Sequence, residues 1–423
     1  MDHQFEHAFG LPAVKESPDD TRSPLERFRS RKPLSVSDLV APAWCELQYW
    51  YSLTKYGRKK RTPAMKEGSA VHKKLEEETL GVAEPVATET REDGFALRLW
   101  NIIQSLRLLR ATGMTRELEI WGIVDGQLIN GVIDELSFTC TDPAFEESLD
   151  SQSTSPRKRG RPRKTSPPDA SQPSISYFLT SSSQSSLNTI ESHSDPNRKL
   201  YLTDLKTRTS STLPSTSSLR PTKMQLMLYR HLLASLASNT LDASLVFERY
   251  NLDPSAELSN IFIESIGNVD TDIGPDIASN PYAESAFSNY TILELLDHRT
   301  LPLLWQLMMQ EYALTLPSGS ANISRVLSAK FVSQRDQKVL GERTFAYDET
   351  ELKRYVKDEM AWWKGERAAK GVEIEEAFKC GICEFAGGCE WRMGKVDEAV
   401  KRSRERRTLP GSGKTAAAAG AAG

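Results

Sequence analysis

No stretch of this chain is apolar over the length that a membrane-spanning helix needs, so no membrane protein is expected. The opening MDHQFEHAFG has none of the apolar core of a secretory leader. Asp2, Glu6, Glu16, Asp19 and Asp20 all precede the first arginine, Arg22, which suits a mitochondrial presequence poorly, although TRSPLERFRSRK further on is closer to one. Cysteine is scarce. There are five, an odd number, and without a leader that argues against a disulphide framework. Positive charge is not in excess either, since the formal net charge is -3. Any surface for a polyanion must therefore come from local basic clusters. A Gly-x-x-x-x-Gly-Lys-Ser/Thr phosphate loop is missing, which excludes that route to nucleotide hydrolysis.

What remains is a chain of 423 residues with 39% hydrophobic and 26% charged residues, enough for a sizeable core. Residues 1–33 are polar and are expected to be disordered. Order is expected from Leu34-Ser-Val-Ser-Asp38, with Ser35 or Ser37 capping a helix through LVAPAWCELQYWYSL that tolerates Pro42 near its start. A basic run, Arg58 to Arg61, precedes a helix over EGSAVHKKLEEETL. The spacing of FALRLWNIIQSLRLLRATG predicts a longer helix stopped by Gly113. RELEIWGIVDGQLINGVIDELSFT alternates about Asp125-Gly126 and predicts an antiparallel hairpin. A third strand, KLYLTDLKTR, follows only after a Ser- and Pro-rich stretch at 143–198, expected to be a disordered insert between paired strands. KMQLMLYRHLLASLA predicts a helix. Residues 241–250 fit a strand or a helix end, 251–290 loops with short elements, and 291–315 and 349–369 helices. Residues 392–423 read as a basic, low-complexity tail.

The chemistry is carried by four short patterns. On a strand, Asp204 and Lys206 of TDLK share a face. A carboxylate that holds a divalent cation, beside a lysine that orients water and offsets charge growing on a phosphate, suits phosphodiester hydrolysis. Asp134 of GVID lies on the preceding strand, and two carboxylates brought together there favour a shared cation such as magnesium. His72 of GSAVH, at the start of a helix, adds a nitrogen ligand. Gln225 and Tyr229 share a helical face at i, i+4, where they contact DNA or steady the lysine. Taken singly, each has a plainer reading: a surface ion pair, a strand-end cap, a packed histidine, a polar patch against the sheet.

In this order, Gly-x-x-x-His, Gly-x-x-Asp, Asp-x-Lys and Gln-x-x-x-Tyr resemble the RecB-like branch of the PD-(D/E)XK nucleases over roughly residues 34–391, the insert apart. The proline of that name is absent. The resemblance implies an α/β fold in which a mixed central sheet is flanked by helices. It implies that His72, Asp134 and Asp204 bind Mg2+ or Mn2+, that Asp134, Asp204 and Lys206 are catalytic, and that Gln225, Tyr229 and Arg208 lie on the substrate side. Cys380-x2-Cys383-x5-Cys389 is a triplet, with Cys45 far upstream. Spacing alone equally permits a four-cysteine zinc site. One upstream cysteine joined to a C-terminal triplet is similar to the iron–sulphur nucleases, which implies a 4Fe–4S cluster clamping the C-terminal segment. Cys140 has no partner in this scheme and reads as a strand residue of no special role.

Leu34-Ser-Val-Ser-Asp-Leu39 and Gly-Val-Ile-Asp-Glu-Leu at 131–136 make exonuclease V the family of best fit. That implies a monomeric exonuclease specific for single-stranded DNA, acting from a free end, with a 5′ preference in fungal relatives, in DNA repair or maintenance. Polarity does not follow from the residues, and a single-strand-binding protein is a candidate partner. A non-catalytic DNA-binding protein keeping the fold and cluster is the competing class. Basic clusters (Arg58 to Arg61, Lys206 with Arg208) and the aromatics Trp44, Tyr49, Trp50 and Tyr51 are candidate DNA contacts, core packing being the plainer role for most of the rings. The run Arg157-Lys-Arg-Gly-Arg-Pro-Arg-Lys164 resembles a nuclear address or an AT-hook and tilts localisation to the nucleus, whereas the family resemblance implies mitochondria.

Overall fold

The computed structural model describes residues 21–57, 63–80, 86–154, 198–271 and 291–408. The basic runs at 58–61 and 157–164 lie outside these. Six strands form one mixed sheet: β1 (Leu34–Ser35), β2 (Met114–Val124), β3 (Gln127–Ser137), β4 (Leu200–Arg208), β5 (Ile323–Ser333) and β6 (Val339–Ala346). The helices are α1 (Pro24–Phe28), α2 (Val36–Val40), α3 (Glu46–Tyr56), α4 (Pro63–Leu80), α5 (Arg91–Thr112), α6 (Pro143–Thr154), α7 (Arg220–Ala237), α8 (Ala243–Tyr250), α9 (Asn260–Thr271), α10 (Thr291–Asp297), α11 (Leu301–Thr315), α12 (Glu349–Trp363) and α13 (Glu390–Thr408). Among the described residues, no helix is long and apolar enough to cross a membrane.

β3 organises the sheet. Asp125 and Gly126, both at positive φ, form the turn that pairs it antiparallel with β2 along one edge. Its other edge is shared: β1 takes Ile129 and Asn130, and β4 takes Glu135 to Ser137. β4 runs parallel to β5, which turns back antiparallel as β6. α7 crosses the sheet against β2 to β5, and α4 packs on β2 and β4. α5 buries Phe95, Leu99, Trp100, Ile103 and Leu106. Arg107 of α5 forks between Glu294 of α10 and Glu311 of α11, satisfying the charges that this close packing brings inside.

Several expectations need correction. Order begins before Leu34, because Ser23 and Glu26 form a capping box that starts α1, and Arg29 then pairs with Asp38. The helix expected through Pro42 is broken into α2, a 3-10 turn (Ala41–Ala43) and α3. The break leaves Cys45 extended as the cap of α3. The insert starts as α6, which buries Leu149 against Tyr201 and Val326, rather than as disordered chain. A helix, α9, occupies part of the span read as loops with short elements, and α13 extends into the expected tail; of the two alternatives for 241–250, the helical one is found, as α8 over Ala243–Tyr250. β5 and β6 were not anticipated. Cys140 lies beyond the end of β3, not on a strand.

α12 carries a buried acid. Burial, and then the charge of Glu46, push the Glu359 carboxyl up to about 8, with Arg367 opposing. Its Oε2 has no hydrogen-bond partner among the described residues. The folded protein thus binds a proton that the unfolded chain releases near its ordinary value. Stability is full below that value and falls as pH rises towards 8. Glu359→Gln is therefore expected to gain on the order of 3 kcal/mol over wild type at pH 9 relative to pH 5, read from melting curves at the two pH values.

Candidate active site

The hairpin is built to fail at one point. The β2–β3 ladder runs from Met114↔Ser137 to Val124↔Gln127 and is interrupted only at Glu117 opposite Asp134. Burial changes phase there in both strands: Thr115 then Leu118 in β2, Ile133 then Leu136 in β3. Each break coincides with a charged doublet, Arg116-Glu117 and Asp134-Glu135. Arg116 and Glu135 pair across the strands. The other two carboxylates turn towards His72.

The β3–β4 ladder ends at Glu135↔Thr203. Just past it, side chains replace the missing strand bonds of Leu205. The Leu205 N–H donates to Asp134 Oδ2 at 2.6 Å, and its carbonyl accepts from His72 Nε2 at 3.1 Å. His72 reaches this edge because α4 lies close to the sheet at Gly68, where a Cβ would sit 2.7 Å from Thr207 Oγ1. With Nε2 carrying the proton, the Nδ1 lone pair faces Glu117 Oε1 at 3.3 Å and Asp134 Oδ1 at 3.9 Å. One ligand atom from each of His72, Glu117 and Asp134 lies within 4.8 Å of the others. A lone pair facing two carboxylates is repulsive unless a proton or a metal cation lies between them. The contact with Glu117, opposed by burial, holds the His72 pKa above its usual value.

Asp204 stands outside that trio but next to Asp134, and it is 1% exposed. Lys206 Nζ is 2.9 Å from both of its oxygens, hydrogen-bonded to Oδ1 and ion-paired with Oδ2. Burial raises the pKa of both aspartates, and the charge of Asp204 adds to the effect on Asp134. The buried Asp204 carboxylate, the half-buried Asp134 carboxylate and a histidine nitrogen on one sheet edge fit a divalent cation bound through hard oxygen donors. Burial alone would lower the Lys206 pKa, but Asp204 and Asp134 hold it above the usual lysine value, so the ammonium stays charged.

A relay fixes the lysine. Lys206 Nζ donates to Gln225 Oε1 at 2.9 Å, and Gln225 Nε2 donates to the Tyr229 hydroxyl at 2.8 Å. Tyr229 is buried against Gly131, where a Cβ would meet its Cε1 at 2.8 Å and Val36 Cγ2 at 2.9 Å. Gly131→Ala is thus expected to push the ring aside and displace the relay. Since ångström-scale misplacement costs on the order of 100-fold, kcat should fall by about 10- to 100-fold with DNA affinity little changed. Single-turnover rates and binding isotherms on one preparation check this. Arg208 follows Asp204 and Lys206 along the same face of β4, and its Nε has no hydrogen-bond partner among the described residues.

The four cysteines also converge. Cys45, Cys380, Cys383 and Cys389 line one cavity with Trp44, Lys379 and Phe385. The C-terminal segment reaches them by docking on α3. Arg367 forks onto Glu46, Leu47 N–H donates to the Lys370 carbonyl, and Lys379 Nζ donates to the Trp44 carbonyl. Burial, followed by the nearness of the other three, pushes the Cys45 thiol up to about 11. The nearby rings pack inside: Tyr49 against Trp362 and Trp363, Trp50 against Phe28 and Trp362, Tyr51 against Phe385.

Glu117 escaped the sequence motifs. The available signal was the pair of charged doublets, each breaking strand alternation at positions that the hairpin register sets opposite each other.

Paired carboxylates with a charged lysine between strands of a mixed sheet define a class of enzyme, the metal-assisted phosphodiester nucleases. The chain belongs to the exonuclease V family, whose model, described as a 5′ deoxyribonuclease, matches residues 23–392. It is 24% identical over 380 residues to exonuclease V of Danio rerio, covering 89% of this chain and 74% of that one. It is also 24% identical to a protein of Eremothecium gossypii named exonuclease V, mitochondrial, covering 90% of this chain and 81% of the relative. A shorter match of 81 residues, 31% identical, is to the protein of the same name in Candida dubliniensis. The chain is accordingly a deoxyribonuclease, and its family implies a metal cofactor.

Proposed function

We propose that this enzyme is a magnesium-dependent exonuclease that degrades single-stranded DNA from the 5′ end, with its C-terminal segment clamped by a 4Fe–4S cluster. The observation that carries the reading is the convergence of His72, Asp134, Asp204 and Lys206 where the β3–β4 ladder ends. Asp134 and Asp204, with His72, would hold the cation, which supplies Lewis acidity towards the scissile phosphate and a more acidic bound water. Lys206, charged and fixed by Asp204 and Gln225, offsets negative charge developing on the phosphate. Gln225 and Tyr229 keep its Nζ in place. Arg208 continues the strand face as a contact for the DNA backbone.

For the cluster, the support is the cavity that Cys45, Cys380, Cys383 and Cys389 line together, four thiolates being the usual number for a 4Fe–4S cluster. We treat residues 23–392 as one nuclease domain around an insert. The mitochondrial names of the fungal relatives support a mitochondrial role, and the basic run at 157–164 supports a nuclear one. A single-strand-binding protein remains the candidate partner of a monomeric enzyme.

The test uses protein purified without air, magnesium, and end-labelled DNA as linear single strands, circles and duplexes. Loss of linear single strands alone, with label leaving the 5′ end first, is the expected result. Digestion of circles would make the enzyme an endonuclease and contradict the reading.

A further inference from the structure

We propose that Glu117 is a direct ligand of the catalytic cation, and that the break in the hairpin exists to deliver it. This rests on the metal centre described above. Glu117 has φ 51, in the left-handed region that a glutamate in a strand seldom adopts. The conformation interrupts the ladder at that position and turns the side chain from the alternation of β2 towards His72 and Asp134. Without it, strand alternation would not bring the carboxylate to this point.

A role confined to orienting the imidazole does not account for the geometry. The Leu205 carbonyl already fixes the ring through Nε2. Glu117 approaches the opposite nitrogen, Nδ1, the only one left to bind a metal. Once Nδ1 is a ligand it carries no proton to donate to Glu117. The carboxylate is then stable at that distance only by sharing the cation. Asp134 Oδ1 faces the same point, while its Oδ2 is occupied by the Leu205 N–H. Glu117 is thus the second oxygen donor of the trio, on a side chain 27% exposed and open to an entering hydrated ion.

The experiment titrates Mn2+ into full-length, cluster-loaded protein, following the free ion by electron paramagnetic resonance, with melting curves of the Mn2+-free protein alongside. The variants are Glu117→Gln, Glu117→Gly and Asp134→Asn. Losing even an outer-shell partner of a ligand costs about 10- to 100-fold in affinity, so losing a direct ligand in Glu117→Gln should weaken Mn2+ binding by about 100-fold or more. Glu117→Gly should weaken it as much while raising the melting temperature of the metal-free protein, because glycine accepts the positive φ. Affinity within about twofold of wild type in Glu117→Gln, with binding lost in Asp134→Asn, would overturn the inference. Unchanged affinity in Asp134→Asn as well would instead remove the metal centre on which it rests.

Discussion

Lys206→Ala is expected to abolish cleavage almost completely, by about 1000-fold in kcat, while the protein folds and binds DNA much as before. The ammonium is the charged donor held between Asp204 and Gln225. Removing it leaves the developing phosphate charge without that partner and leaves Asp204 more strongly repelled by Asp134. Lys206→Arg should rescue little. A planar guanidinium cannot place one nitrogen 2.9 Å from both Asp204 Oδ1 and Gln225 Oε1 without moving α7. The side chain is one-third exposed, so its loss opens no core cavity and the melting temperature should shift little. Single-turnover cleavage at saturating enzyme, with binding measured separately, distinguishes lost chemistry from lost affinity.

Cys45→Ser is expected to cost the cluster and much of the stability. The C-terminal segment is held to α3 by a handful of polar contacts around Glu46 and Trp44 and by the cysteine cavity, where burial has raised the pKa of the Cys45, Cys380 and Cys383 thiols. Without a group that binds thiolates, those thiols stay protonated and the cavity lacks its cross-link. Metal groups of this structural kind carry a large share of folding energy, so a loss on the order of 5 kcal/mol is reasonable. In a domain of this size that is about 7 °C in melting temperature, accompanied by loss of the brown absorbance. Cys140→Ser, outside the cavity, should change neither. A Cys45→Ser protein that kept both its colour and its melting temperature would refute the clamp.

The patterns that were legible in the sequence are those set by local periodicity or turn chemistry. The alternation about Asp125-Gly126 gave β2 and β3, Gly113 ended α5, and TDLK sat on the third strand. The motif residues His72, Asp134, Asp204, Lys206, Gln225 and Tyr229 do meet. What stayed hidden depends on tertiary context. β5 is buried on both faces, so Ile323 to Ser333 shows no simple alternation. The helix through Pro42 breaks at a 3-10 turn that leaves Cys45 extended beside the cysteine cavity, a change that helical periodicity does not signal. Glu117 is invisible to motif reading because its role comes from a φ value and a cross-strand position, the second signalled only by the charged doublets that break strand alternation.

The most direct test is an anomalous difference map from crystals soaked in Mn2+, recorded at the manganese and iron absorption edges. Manganese should appear between Asp134 and His72 Nδ1, and iron in the cavity of Cys45, Cys380, Cys383 and Cys389. A manganese peak away from Asp134, or a cysteine cavity with no iron signal in brown, active protein, would contradict the assignment of those two centres.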